Sequence, residues 1–99
     1  VDVKFLHGGA PYVSPTDMTA YKAAEQAIVD NFGKKPLPFY SGGSIPIISD
    51  FERVLGIKTV LMGFGLESNA IHSPNENFDL EVFKNGIVAV TEFYRHYQK

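Results

Sequence analysis

Residues 57–64 read IKTVLMGF, and the predicted fold depends on this stretch more than on any other. It is almost continuously apolar, and it lies between Gly56 and Gly65. A short apolar run bounded by turn-forming residues is typical of a strand that is covered on both faces of a sheet. We therefore expect residues 58–64 to form a buried strand.

Helical periodicity occurs on both sides of this stretch. Apolar side chains spaced three and four residues apart predict helices at 17–32, 46–55 and 79–97. Alternation of apolar and polar residues at 3–6 and a short apolar run at 37–40 predict two further strands. The resulting order of strand, helix, strand, helix, strand and helix predicts an α/β domain with helices packed against a sheet.

Composition restricts the classes of function. The chain has 99 residues and a net charge of −2, and its basic residues are scattered, so we expect neither nucleic acid nor an anionic membrane as a partner. The absence of cysteine excludes disulfides and thiolate metal sites. No apolar run approaches the roughly 20 residues of a membrane span. No signal-peptide pattern is visible, and we expect a cytoplasmic protein.

A polar loop that contains a histidine follows the predicted strand. Residues 65–76 read GLESNAIHSPNE, which places His72 between a strand and a helix. Loops beyond strand ends often carry ligands, so His72 is a candidate zinc ligand. A lone histidine is also compatible with a loop residue that simply bonds a neighbour. Glu67 lies five residues before His72 and Glu76 lies four residues after it, but in a loop these positions do not form a two-ligand helical face with His72.

Two glycine-rich segments are candidates for substrate contact. Gly42, Gly43 and Ser44 precede a predicted helix, where free backbone N–H groups can bind an anion. The same three residues also suit a tight structural turn. His7 ends the first predicted strand and precedes two glycines, which suits either a hinge or a substrate contact.

Three strings carry a resemblance to a known family. They are HGGAPY at 7–12, SGGSIP at 41–46 and IHSPNE at 71–76, and they occur in that order over nearly the whole chain. Together they resemble the carboxy-terminal part of the co-catalytic zinc peptidases. That family includes carnosinase-type dipeptidases, aminoacylases and succinyl-diaminopimelate desuccinylase.

The resemblance implies a fold and a division into segments. It implies the carboxy-terminal part of a layered αβα catalytic domain, with one strand left from the lid domain, through which such enzymes often dimerise. Residues 1–6 would be that last lid strand, 7–15 the junction, and 16–99 the part of the catalytic domain. We also expect a homo-oligomer, because missing neighbours would leave apolar edges and faces exposed.

The resemblance also implies the site. His72 matches the last metal ligand, Gly42, Gly43 and Ser44 match the loop that holds the substrate carboxylate, and His7 matches a substrate-contacting histidine. The cofactor would be two zinc ions per active site, or other divalent metals. The bridging aspartate and the general-base glutamate lie upstream of the region that this chain resembles, so no catalytic residue is assigned here.

The expected function is part of a metal-dependent peptidase that hydrolyses dipeptides or small amides through a metal-activated water. The isolated chain is expected to be inactive. An aminoacylase or deacylase of the same family is one alternative. A non-catalytic module that binds a peptide or carboxylate, or that self-associates, is another.

Overall fold

The regular structure of this chain is helical. The computed structural model describes residues 1–41 and 45–98, with α1 at Thr19–Phe32, α2 at Ile47–Leu55 and α3 at Leu80–Tyr97. A single 3-10 turn, Glu67–Asn69, precedes α3. The three predicted helices are therefore confirmed, with ends that shift by one or two residues.

Local sequence explains where these helices begin and end. The Asp79 side chain accepts hydrogen bonds from the backbone N–H groups of Glu81 and Val82, which caps α3. Gly33 and Gly56 end α1 and α2 at φ values of 72° and 67°, in the left-handed region that glycine adopts without steric cost.

The α/β prediction is wrong. Within 1–41 and 45–98 there is no strand and hence no sheet, so the layered αβα arrangement and the leftover lid strand are absent there as well. The predicted strands at 3–6, 37–40 and 58–64 have no regular secondary structure. A strand needs a partner for its backbone N–H and C=O groups, and alternation in one segment does not supply that partner.

The packed part of the molecule is the contact between α1 and α3. The buried residues of these two helices are all small: Ala23, Ala24 and Ala27 on α1, and Gly86 and Ala89 on α3. Side chains this small let two helix backbones approach closely, but they bury little apolar area.

The 57–64 stretch forms no strand, but its last residue, Phe64, lies against this helix pair. The ring of Phe64 stacks on Phe32 of α1, with 5.8 Å between ring centroids, and it also lies beside Gly86 of α3. The hydroxyl of Tyr12 accepts a hydrogen bond from the Thr59 N–H at 2.7 Å and donates one to the Thr59 carbonyl at 3.0 Å. Side chains thus satisfy backbone groups that a neighbouring strand would otherwise bond.

Much of the apolar surface remains uncovered. Leu37 and Phe39 are 83% and 84% exposed, and Leu61 in the predicted buried strand is 56% exposed. The Cα radius of gyration is 16.0 Å, whereas a compact domain of about 100 residues has a radius of about 13 Å. The side chains suited to a core are present, but the described residues do not enclose them. No helix among the described residues is long and apolar enough to cross a membrane.

Candidate functional site

The loop that carries His72 is anchored by a buried asparagine. Asn69 is 2% exposed, and its side-chain oxygen accepts a hydrogen bond from the Leu66 N–H at 2.7 Å. The Asn77 N–H donates to the Asn69 carbonyl at 2.9 Å. Asn69 therefore joins Leu66, before His72, to Asn77, after it, through hydrogen bonds.

Asn77 holds the same loop from its other end. Its side-chain amide donates to the carbonyls of Ser68 at 3.1 Å and Asn75 at 3.0 Å. A single side chain therefore bonds one carbonyl on each side of His72, which restricts the backbone between them.

The backbone between these anchors has an unusual conformation. Ala70, His72 and Asn75 have φ values of 52°, 61° and 64°, in the left-handed region that few non-glycine residues adopt. Such conformations persist only where surrounding bonds impose them, and they cluster at functional sites. The structure thus presents His72 as an exposed imidazole on a loop held by Asn69 and Asn77.

His72 fits a metal site as one ligand of several. A catalytic zinc usually takes three protein ligands and a water. Within the part of the chain that the structure describes, no group of three metal-ligating side chains includes His72. Neither Glu67 nor Glu76 completes a set with it, so a metal bound at His72 needs ligands from other residues.

The other predicted site residues are only partly described. Gly42, Gly43 and Ser44 lie outside the described residues. His7 is exposed, and its segment reaches the start of α2, where a Cβ atom on Gly9 would lie 2.7 Å from the Pro46 Cβ. The 7–9 segment therefore approaches Pro46 at the start of α2, and the shared substrate contact stays a prediction.

A second cluster of ligating groups was missed by the sequence reasoning. His96 Nε2 lies 2.9 Å from Asp30 Oδ2 and 3.8 Å from Glu92 Oε2. Glu92 and His96 are four residues apart on α3, a spacing that the sequence displays. Asp30 reaches them only because α1 packs on α3.

The protonation of Asp30 reflects its neighbours. A hydrogen bond from the Gln26 amide to Asp30 Oδ1, at 2.8 Å, lowers the pKa of this carboxyl below its ordinary value, and the contact with His96 lowers it further. Both interactions favour the charged form. Asp30 therefore loses its proton more readily than an ordinary aspartic acid.

Comparison with known proteins settles the family. The model of the Peptidase family M20/M25/M40 matches residues 1–96, and this chain belongs to that family. The chain is 32% identical to the Cys-Gly metallodipeptidase DUG1 of Candida albicans over 97 residues, which is 98% of this chain and 20% of that protein.

Two further relatives agree with this assignment. The chain is 29% identical to the Cys-Gly metallodipeptidase DUG1 of Saccharomyces cerevisiae over 97% of its own length and 20% of that protein. It is 30% identical to the Beta-Ala-His dipeptidase of Homo sapiens over 93% of its length and 18% of that protein. The chain thus spans about a fifth of the curated relatives it matches. No solved structure matches it. The resemblance based on the three strings is confirmed.

Proposed function

We propose that this chain supplies one metal ligand and part of the substrate contacts of a metal-dependent dipeptidase. The observation that carries the proposal is His72, exposed and held in a left-handed conformation between two anchoring asparagines. Membership of a peptidase family and the dipeptidase names of three relatives support the reaction class.

In this proposal His72 offers one imidazole nitrogen to a divalent metal, most simply zinc. His72 would help to hold such an ion, and the chemistry supplied there would be a lowered pKa of a bound water and polarisation of the scissile carbonyl. The remaining ligands, the second zinc and the general base come from parts of the parent protein outside these 99 residues. The isolated chain is therefore inactive.

The substrate is a dipeptide or small amide, and its carboxylate end is held by Gly42, Gly43 and Ser44. His7 contacts the same substrate from the neighbouring segment. The close approach of Gly9 to Pro46 supports a role for the 7–9 segment beside the start of α2.

The parent protein is proposed to be a cytoplasmic homo-oligomer without nucleic-acid or membrane partners. Exposed side chains such as Phe39 and Tyr40, which are 84% and 88% exposed, support the need for a covering surface. Many large exposed apolar side chains on one chain are typical of a surface that another protein surface covers.

The test uses the full-length parent protein that contains this sequence. Its hydrolysis of Cys-Gly, β-Ala-His and an N-acetyl amino acid is measured before and after His72→Ala, together with its zinc content. Ser73→Ala, an exposed neighbour, is the matched control. We expect His72→Ala to remove most dipeptide hydrolysis and to lower the zinc content. Wild-type rate and zinc content in His72→Ala would refute the assignment, and preference for the N-acetyl substrate would favour an aminoacylase.

A further inference from the structure

We propose that Asp30, Glu92 and His96 form a zinc-binding site that joins α1 to α3 and does not include His72. One ligand atom from each residue lies within 4.8 Å of the other two. The site therefore needs only side chains that the described structure already brings together.

The distances suit a small divalent cation. Ligand atoms about 2.0–2.2 Å from a tetrahedral zinc lie about 3.3–3.6 Å from one another. The distances of 2.9 Å and 3.8 Å from His96 Nε2 to the two carboxylates lie on either side of that range. Small side-chain rotations would equalise them around an ion.

Donors outside the cluster orient both carboxylates. The Gln26 amide bonds Asp30 Oδ1 at 2.8 Å, which leaves Oδ2 facing His96. The Arg95 guanidinium bonds Glu92 Oε1 at 2.8 Å, which leaves Oε2 facing the same nitrogen. Outer partners that fix one oxygen while the other remains free for an ion are typical of metal sites.

The ligand types and the helix ends favour zinc. An imidazole with two carboxylates suits zinc, whereas magnesium prefers an all-oxygen set that retains several waters. Asp30 and His96 lie near the ends of α1 and α3, at Phe32 and Tyr97. The negative ends of two helix dipoles therefore lie close to the site, and they attract a cation.

The side chains are also accessible to an ion. His96, Asp30 and Glu92 have side-chain exposures of 23%, 40% and 21%, so water can occupy the fourth position of a tetrahedral zinc. A zinc ion held there would link two helices whose buried contact consists of small residues. It would stabilise the native packing, because the unfolded chain does not bring the three ligands together.

Calorimetry of the 99-residue chain with zinc chloride tests this site. Circular dichroism first establishes that each variant retains its helix content. We expect one zinc per wild-type chain, and a dissociation constant more than about tenfold larger in Asp30→Asn and in His96→Gln. Glutamine at position 96 can still donate a hydrogen bond to Asp30, so a loss of zinc binding would report on the ligand and not on the contact between helices.

His72→Ala is the control that separates this proposal from the dipeptidase assignment, and it should leave the zinc affinity unchanged. Zinc should also raise the midpoint of thermal unfolding of the wild-type chain but not of His96→Gln. No zinc binding, binding that persists in both Asp30→Asn and His96→Gln, or a wild-type chain without helical signal would overturn the proposal. Binding that is lost only in His72→Ala would do the same.

Discussion

The backbone N–H of Asn77 donates a hydrogen bond to the carbonyl of Asn69 at 2.9 Å and closes the loop that carries His72. Asn69 is the one buried polar residue among those described, and its side chain in turn binds the Leu66 N–H. The proposed metal ligand is therefore positioned by backbone and amide hydrogen bonds, since the residues from Ile71 to Leu80 are all exposed.

Asn69→Ala should release this loop. The substitution removes the side-chain acceptor of the Leu66 N–H. A typical intramolecular hydrogen bond contributes about 0.5–1.5 kcal/mol to stability. Urea unfolding of the purified protein measures the loss. Ser68→Ala is the control, because Ser68 contributes its backbone carbonyl to the Asn77 bond. Equal stability of the two variants would mean that Asn69 does not anchor the loop.

Gly9→Ala should disrupt the contact between the 7–9 segment and α2. A Cβ atom at this position would lie 2.7 Å from the Pro46 Cβ and 3.1 Å from the Pro46 carbonyl oxygen, so one of the segments has to move. Overpacking of this kind costs about 1–3 kcal/mol. Gly8→Ala is the matched control, because its Cβ meets only the Phe5 ring, at 3.4 Å. In the parent protein we expect a raised KM for the Gly9 variant alone, and a parallel rise in both would argue against a specific contact.

Asp79→Ala should weaken the start of α3. It removes the acceptor for two backbone N–H groups, and losing such a cap costs about 0.5–2 kcal/mol. Asp79→Ser, which retains a capping oxygen, should recover most of the stability. Thermal unfolding followed by circular dichroism compares the three proteins. An alanine variant as stable as the wild type would show that other contacts hold this end.

Asp30 should contribute to stability in a way that depends on pH. Its pKa is lower in the folded chain than the ordinary value of 3.8, chiefly through the hydrogen bond from Gln26 and then through His96. The charged form therefore stabilises the fold above pH 3.8, and this contribution is lost as the pH falls through the lower folded pKa. The charges of His96 and Arg95 also lie near this carboxylate and lower its pKa further.

The measurement for Asp30 compares wild type with Asp30→Asn in metal-free buffer across the acidic range. We expect the stability difference at neutral pH to shrink toward zero below pH 3.8. A difference that persists in strong acid would contradict a role for the carboxylate charge. Asp2→Asn is a suitable control, because Asp2 lies in the exposed segment 1–10.

Gly43→Val should raise KM strongly in the parent protein, because a branched side chain would occupy the space that the substrate carboxylate needs. Ser44→Ala should have a smaller effect, since it removes one hydrogen bond to a charged group, worth about 1.5–3 kcal/mol. Steady-state kinetics with Cys-Gly measures both. Unchanged kinetics in both folded variants would favour the alternative that residues 42–44 serve only as a structural turn.

Local sequence signals predicted the three helices, at residues 17–32, 46–55 and 79–97. Their apolar spacing, the cap at Asp79 and the stops at Gly33 and Gly56 depend on interactions within a few residues, and the helices form where those signals are. Residues 58–64 carry an equally strong apolar signal but form no strand, because a strand depends on a partner segment.

The candidate site divides in the same way. The sequence by itself determined the family through three short strings, and it determined that His72 lies in a polar loop before a helix. Only the tertiary structure showed that Asn69 is buried beneath that loop and that His72 has a left-handed backbone. It also brought Asp30 to His96 across 66 positions in the chain. Contacts between distant residues depend on how whole helices pack, and the spacing of residues along one helix does not predict that packing.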